Sequence, residues 1–243
     1  MDFFNQLVAS LPSLSHALYT TVYIVILGCI LAAVLSFVLG LMAGAKNVLI
    51  RGVARVVIEL FRGTSLVVQL FVFYIVVPEI TGMTFDSKWV IGVLALGLNY
   101  GAYGSEVVRG AINAVPQAQH EATVALNLTY WQKMTRVIVP QAWPEMVPPF
   151  SNLAIQLLKG SALVSMIDVA DLTYRTDVMA ASGGGLMATT ALVLVLYFIL
   201  SYLIATFMRF VERRAKAGIG QVPPKKRKLP QIDTKNLTQA GVG

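Results

Sequence analysis

What this chain lacks narrows it first. It has a single cysteine, Cys29, and two histidines, His16 and His120, far apart. A disulfide framework is excluded, and no His/Cys grouping has the spacing of a metal site. The 12 acidic residues form no paired-carboxylate or Ser–His–carboxylate pattern, so hydrolytic chemistry has no support. No G-x-x-x-x-G-K-[ST] segment occurs, so this chain is not expected to hydrolyse ATP by phosphate-loop chemistry. The N-terminal residues lack the positive charge that begins a cleavable signal peptide, and none is expected. Charge itself is scarce, at 13% of residues.

Hydrocarbon takes its place. Apolar residues make up 56% of the chain, and the mean hydropathy is +0.70. A helix needs roughly 20 mostly apolar residues to cross a bilayer. Five stretches qualify: Leu18–Gly44, Val53–Val77, Trp89–Gly110, Met146–Ile167 and Leu186–Phe210. None alternates as a barrel strand would, so an all-α polytopic membrane protein is expected, its backbone bonds closed within each span. Residues 1–17 read as a short interfacial helix on the outer side, residues 18–210 as the membrane domain, and residues 211–243 as a disordered cytoplasmic tail.

The basic residues are unevenly placed. Lys46, Arg51, Arg55 and Arg62 follow the first span, Arg109, Lys133 and Arg136 the third, and Arg209, Arg213, Arg214 and Lys216 the fifth. The other side holds Glu79, Asp86, Asp168, Asp171 and Asp177 against few cations. Positive-inside bias puts the N-terminus outside and the C-terminus in the cytoplasm. The net charge of +7 then records topology and lipid contact, including the Lys225–Lys228 run, rather than nucleic-acid binding.

Between spans three and four lies a polar stretch, Pro116 to Pro140, reading PQAQHEATVALNLTYWQKMTRVIVP. Pro116 suits the first position of a helix, and Asn127 suits its left-handed end. Thr129 with Gln132 forms a capping box that starts a second helix. Glu121 falls in the first turn of the first helix, where negative charge complements the dipole. Ala122, Ala125 and Leu126, at i, i+3 and i+4, make a small apolar ridge fit for a partner's groove. The alternative is a ridge packed on its own protein.

Three ordered motifs carry a resemblance. Glu121-Ala122-Thr123, Asn127, Val137 and Val139-Pro140 resemble the E-A-A…G…I-x-L-P loop of ABC-transporter permease subunits. Phe61-Arg62-Gly63-Thr64-Ser65 with Val68-Gln69 is similar to the F-R-G-T-P-x-x-V-Q segment of polar amino-acid uptake permeases of the histidine, glutamine and arginine type. Ala102-Tyr103, Glu106, Arg109-Gly110, Pro148-Pro149, Asn152 and Leu157-Leu158-Lys159 extend it. Thr123, Asn127 and Ser65 stand where that pattern has Ala, Gly and Pro. The resemblance implies a type I ABC importer permease fold in a bacterial inner membrane. It assigns Glu121, Ala122, Thr123, Ala125, Leu126, Asn127 and Pro140 to a coupling helix seated on a separate ATPase. It also implies an ATP-binding subunit pair that holds ATP and Mg, a second permease subunit (same or related), and an extracytoplasmic solute-binding protein. No cofactor is expected in this chain. The run Ala162–Ser165 with Asp168–Thr173 looks like permeases for ectoine and hydroxyectoine.

Polar groups at membrane depth usually face a cavity or a partner. Gln69, Asn99, Tyr103 and Glu106 stand out, the last three at i, i+4 and i+7 on one helical face. They and Lys159 are candidates for the path of a zwitterion, with interhelical hydrogen bonding as the competing role. Lys159 is also a candidate gate partner for Asp168 and Asp171. Gly97, Gly101 and Gly104, and the pair Gly40 and Gly44, are read as close helix packing. An ion-driven carrier or a non-transporting scaffold is the alternative, though inverted repeats are absent.

Overall fold

A computed structural model describes residues 3–83, 85 and 87–218. Among them every regular element is helical. α1 spans Phe3–Ala43 and α2 Val48–Gly63. α3 covers Leu66–Thr81 and contains a π-helical turn at Val72–Val76. α4 is Lys88–Asn113 and α5 Gln117–Ala125. α6 runs over Tyr130–Ile167, α7 over Leu172–Met179 and α8 over Leu186–Gly218.

Four departures from the sequence expectation have plain causes. Residues 3–17 are no separate interfacial helix but the first turns of α1, which tolerates Pro12 inside it. The helix α8 continues to Gly218, eight residues into the segment read as a tail; the remainder lies outside the described residues. The second span is not straight. α2 and α3 meet at 105°, where Thr64 and Ser65 both take extended backbone. Hydropathy counts apolar residues and is blind to a bend. Finally, three helices are long and apolar enough to cross a membrane, or four with the bent pair, and α4 is not among them. Its 26 residues reach about 39 Å at 1.5 Å each, but Asn99, Tyr103, Glu106 and the glycines dilute its hydropathy. It can be poor in hydrocarbon because its faces are covered by protein.

α4 is the centre of the bundle. A Cβ on Gly101 would stand 2.8 Å from the Leu35 Cβ of α1, and one on Gly40 2.8 Å from the Ser105 carbonyl. Gly97 and Gly104 would run into Leu31 and Ser36 in the same way. The small residues let the two backbones approach to near contact. Gly44 meets only its own helix, so the Gly40–Gly44 pair packs at one end only. On its other side α4 meets α6. One apolar core joins Ile24 of α1, Leu70 of α3, Leu96 of α4 and Leu157 and Val164 of α6. A second core, Val108, Met134, Ile138 and Met146, secures the loop end of the bundle. α8 lies outermost, with none of its most apolar window buried by protein.

Candidate functional site

The loop between α4 and α6 is built from local bonds. Pro116 caps α5 from just outside the helix (φ −54°, ψ 138°) rather than occupying its first position. Asn127 takes φ 51°. Around it the Leu128 N–H donates to the Thr123 carbonyl at 3.0 Å and the Asn127 N–H to the Val124 carbonyl at 2.9 Å. This is a Schellman closure with Asn in the position that usually takes Gly. Two residues on, the Thr129 hydroxyl accepts from the Gln132 N–H, and the Gln132 side chain accepts from the Thr129 N–H at 3.0 Å. Both facing helix ends are thus satisfied without help from the rest of the bundle.

One side of this elbow is anchored and the other is free. Thr123 is 2% exposed, with its hydroxyl donating to the His120 carbonyl at 2.7 Å. Gln141 of α6 donates to the Gln119 side chain at 3.3 Å. Glu121, Ala122, Ala125 and Leu126 face outward, and Val124 and Leu126 are 72% and 71% exposed. The ridge therefore does not pack on its own protein. Glu121 lies in the second turn of α5, not the first, because the helix begins at Gln117; the dipole has little hold on it there. Pro140 is exposed just after the π-helical turn Met134–Ile138, which leads the elbow into α6 without a break.

The candidate path residues separate into two groups. Gln69 and Asn99 are buried at the α2/α3 bend, Asn99 at 5% exposure. The Gln69 amide donates to the Phe61 carbonyl at 2.8 Å and to the Thr64 hydroxyl at 2.8 Å. The Asn99 amide donates to the same Phe61 carbonyl at 3.0 Å and to the Gln69 side-chain oxygen at 3.3 Å. A helix end leaves its last carbonyls without partners, and these two amides supply them. Tyr103 continues the pattern: its hydroxyl donates to the Arg62 carbonyl at 3.2 Å, and the Arg62 guanidinium lies over its ring at 5.4 Å. Glu106 is paired with Arg109 one turn on. This face of α4 clasps the broken span.

Lys159 is elsewhere, and it brings company that the sequence reading missed. Asn152, Gln156 and Lys159 of α6 are all exposed. Their spacing, i, i+4 and i+7, is the same as that of Asn99, Tyr103 and Glu106, and it was available as a signal. Gly160 beside them would place a Cβ 3.1 Å from Leu66 at the start of α3 and 2.7 Å from the Tyr100 hydroxyl, so the stripe runs past the bend.

At the end of the bundle away from the loop, Lys159 takes no part in a gate with Asp168 or Asp171. Asp168, in left-handed backbone at φ 57°, pairs with Lys88 at 3.2 Å. That ammonium also lies 5.4 Å from the Tyr74 ring, so α3, α4 and the α6 terminus meet there. Bonds to Tyr74 and Asp168 hold the Lys88 ammonium above the usual lysine range. Asp171 caps α7, accepting from the Tyr174 N–H at 2.8 Å and from the Tyr197 hydroxyl of α8 at 3.3 Å. Burial pushes its carboxyl from 3.8 up to about 6 despite those bonds. No group of three His, Cys, Asp or Glu that could hold a metal occurs among the described residues.

Comparison with known proteins sets this geometry in a family. Residues 36–217 match the model for the inner membrane component of binding-protein-dependent transport systems. A probable amino-acid ABC transporter permease protein, y4tF of Sinorhizobium fredii, is 41% identical over 206 residues, covering 83% of this chain and 87% of that protein. The arginine transport system permease protein ArtQ of Bacillus subtilis is 31% identical, over 88% of this chain and 98% of its own. Among solved structures, a crystal structure of an amino acid ABC transporter with histidines aligns at TM-score 0.79 and 31% identity, covering 88% of this chain and 99% of that one. The inward-facing MetNI methionine ABC transporter shares the fold at TM-score 0.71 and 19% identity, over 85% and 98% of the two chains.

Proposed function

This chain belongs to the inner membrane components of binding-protein-dependent transport systems, and on that premise we propose that it is the permease of an importer for a polar amino acid or related zwitterion, driven through the α5–α6 elbow. The cargo class is supported by relatives named for arginine, cystine and glutamine. The run Ala162–Thr173 narrows it toward ectoine and hydroxyectoine. The observation that carries the coupling reading is the exposed ridge Ala122, Val124, Ala125 and Leu126 on an elbow locked by its own caps. A ridge that is apolar, rigid and open is what a groove on another protein requires.

In operation, two copies of a separate ATPase hold ATP and Mg and close on each other. Each grips an elbow, with Glu121 placed to meet a basic residue. The stroke passes through the continuous helix from Tyr130 into α6, and Thr123 and Gln141 keep elbow and helix in step. A second permease subunit, the same or related, completes the path, and an extracytoplasmic binding protein delivers the solute. The elbow is cytoplasmic and the N-terminus external, in agreement with the basic residues at the elbow end. Asn152, Gln156 and Lys159 line the path, while Gln69 and Asn99 hold the bend that shapes it.

The test is co-purification of the full-length chain with its ATPase, together with uptake. Leu126→Asp is expected to weaken the complex by about 30-fold, the loss of one interface anchor, and to abolish uptake with unfolding temperature unchanged. Intact complex and uptake in Leu126→Asp and Glu121→Lys, or labelling of a cysteine at Ala122 from outside the cell, would overturn the coupling role. Calorimetry of the cognate binding protein against arginine, glutamine, cystine, ectoine and hydroxyectoine tests the cargo. Binding of none of them would sink the zwitterion class.

A further inference from the structure

Four helices leave a cavity of about 280 Å³ between them in the half of the bundle nearest the elbow. It is bounded by α1 from Cys29 to Phe37, by α6 from Trp143 to Leu157, and by Phe207, Met208 and Val211 of α8, with Tyr100 of α4 at its inner end. Trp143 to Leu157 is about 21 Å of helix. One leaflet of a bilayer is roughly 15 Å of hydrocarbon, half of the core. The cavity is thus long enough to take one leaflet's acyl chain.

Its wall chemistry selects hydrocarbon. The Ser36 hydroxyl is engaged with the Ala32 carbonyl at 2.6 Å and the Gly101 carbonyl at 3.2 Å. The Tyr100 hydroxyl donates to the Gln156 carbonyl at 2.9 Å. Phe37 stacks between Trp143 and Phe150, 6.3 Å from each. With its hydroxyls engaged, the wall offers nothing to a zwitterion, and a cavity of this kind holds no ordered water. The cargo path is therefore not here.

The mouth carries an excess of positive charge, Arg209, Arg213, Arg214 and Lys216 against Glu212 and Glu145. Phe207, Met208 and Val211 place Arg214 next on their stripe of α8, three residues beyond Val211. The neighbouring acid, Glu212, is taken by Lys216 at 2.6 Å, and Glu145 of α6 also faces Lys216. The Arg214 guanidinium, 5.9 Å from the Phe210 ring, stands in none of the ion pairs among the described residues, one turn beyond the lining residue Val211. We propose that this cavity binds one acyl chain of an anionic phospholipid, with the lipid phosphate on Arg214. Chain length, wall polarity and mouth charge all point to that occupant, and the proposal does not depend on which solute is carried.

Trp143 is a built-in reporter. In the full-length chain with Trp89→Phe and Trp131→Phe, it is reconstituted into vesicles containing phosphatidylglycerol or phosphatidylcholine with the same brominated chains. Half-quenching of Trp143 should need about fivefold less brominated phosphatidylglycerol than phosphatidylcholine, the preference given by one basic residue at an anionic headgroup. Arg214→Gln should remove the preference. Ala33→Leu and, from the opposite wall, Ala154→Leu should fill the cavity and remove it too. Equal quenching by both lipids overturns the proposal. So does a preference that survives both filling variants, which assigns it to ordinary boundary lipid. A Trp143 shielded from every brominated lipid places a second copy of the chain over the mouth, and overturns it as well.

Discussion

Two rows of polar side chains cross this bundle at the same helical spacing and meet opposite fates. Asn99, Tyr103 and Glu106 on α4 are spent on the protein's own groups, the carbonyls of a broken span and Arg109. Asn152, Gln156 and Lys159 on α6 are exposed at the same register. Spacing alone cannot tell them apart. The difference is made by α2, which ends in mid-chain at Gly63 and presents carbonyls that α4 reaches together with Gln69 of α3. A polar stripe opposite a helix end becomes a clasp, and one opposite nothing stays exposed.

The comparison can be pushed hardest at a third polar residue, Asp171, which is as buried as Asn99 but carries a charge. Its ordinary 3.8 is raised to about 6 by burial. Below about pH 4 the carboxyl is protonated in both folded and unfolded chains. Between about 4 and 6 only the folded chain keeps the proton, so stability falls as pH rises through that window and stays low above it. The gap corresponds to at most about 3 kcal/mol. Asp171→Asn keeps the cap on Tyr174 and loses the charge. It should therefore flatten the pH profile of thermal unfolding and raise the unfolding temperature at pH 7. A wild-type profile that is level from pH 4 to 7 would show that water reaches this carboxyl.

A smaller loss is expected at the clasp itself. Asn99→Leu strips a donor from the Phe61 carbonyl and a partner from Gln69, at about 1–3 kcal/mol, visible as a lower unfolding temperature in detergent. Unchanged stability with uptake lost would move Asn99 from clasp to path and dissolve the contrast. At the elbow, Asn127→Val should cost about 1–2 kcal/mol, because a β-branched residue resists the left-handed turn. Asn127→Gly should be neutral or slightly stabilising, and uptake should follow the same order. Smallest in stability is Gln156→Ala, within about 0.5 kcal/mol of wild type. Its effect should fall on uptake, as a KM raised about tenfold by the loss of one hydrogen bond to a charged solute. An unchanged KM would leave the exposed stripe without a role in the path.

Much of this was legible in the residues. Helices lie over all five apolar stretches, though α4 falls short of a span by hydropathy; the elbow follows from Asn127 and the Thr129–Gln132 box, because caps are local and their chemistry is written in adjacent positions. The glycines at 97, 101 and 104 announced close packing for the same reason, since nothing else lets two backbones touch. The 105° bend was not legible. Its only trace is Gly63-Thr64-Ser65, and a turn there depends on Gln69 and on Asn99, 38 residues beyond Phe61. The partition of the polar residues into a bonded row and an exposed row was hidden with it, because it depends on where a neighbouring helix stops.

The seam between α1 and α4 has a mechanical consequence. Four glycines receive side chains or carbonyls of the facing helix, so a slip of one residue, about 1.5 Å, would drive a methyl or larger group into backbone. The two helices cannot shear past each other and act as a single beam. Whatever push arrives from the elbow through α6 must tilt that beam whole or swing against it. The bent α2–α3 arm, pinned to the beam by Asn99 and Tyr103, is then carried with it as a fixed bracket.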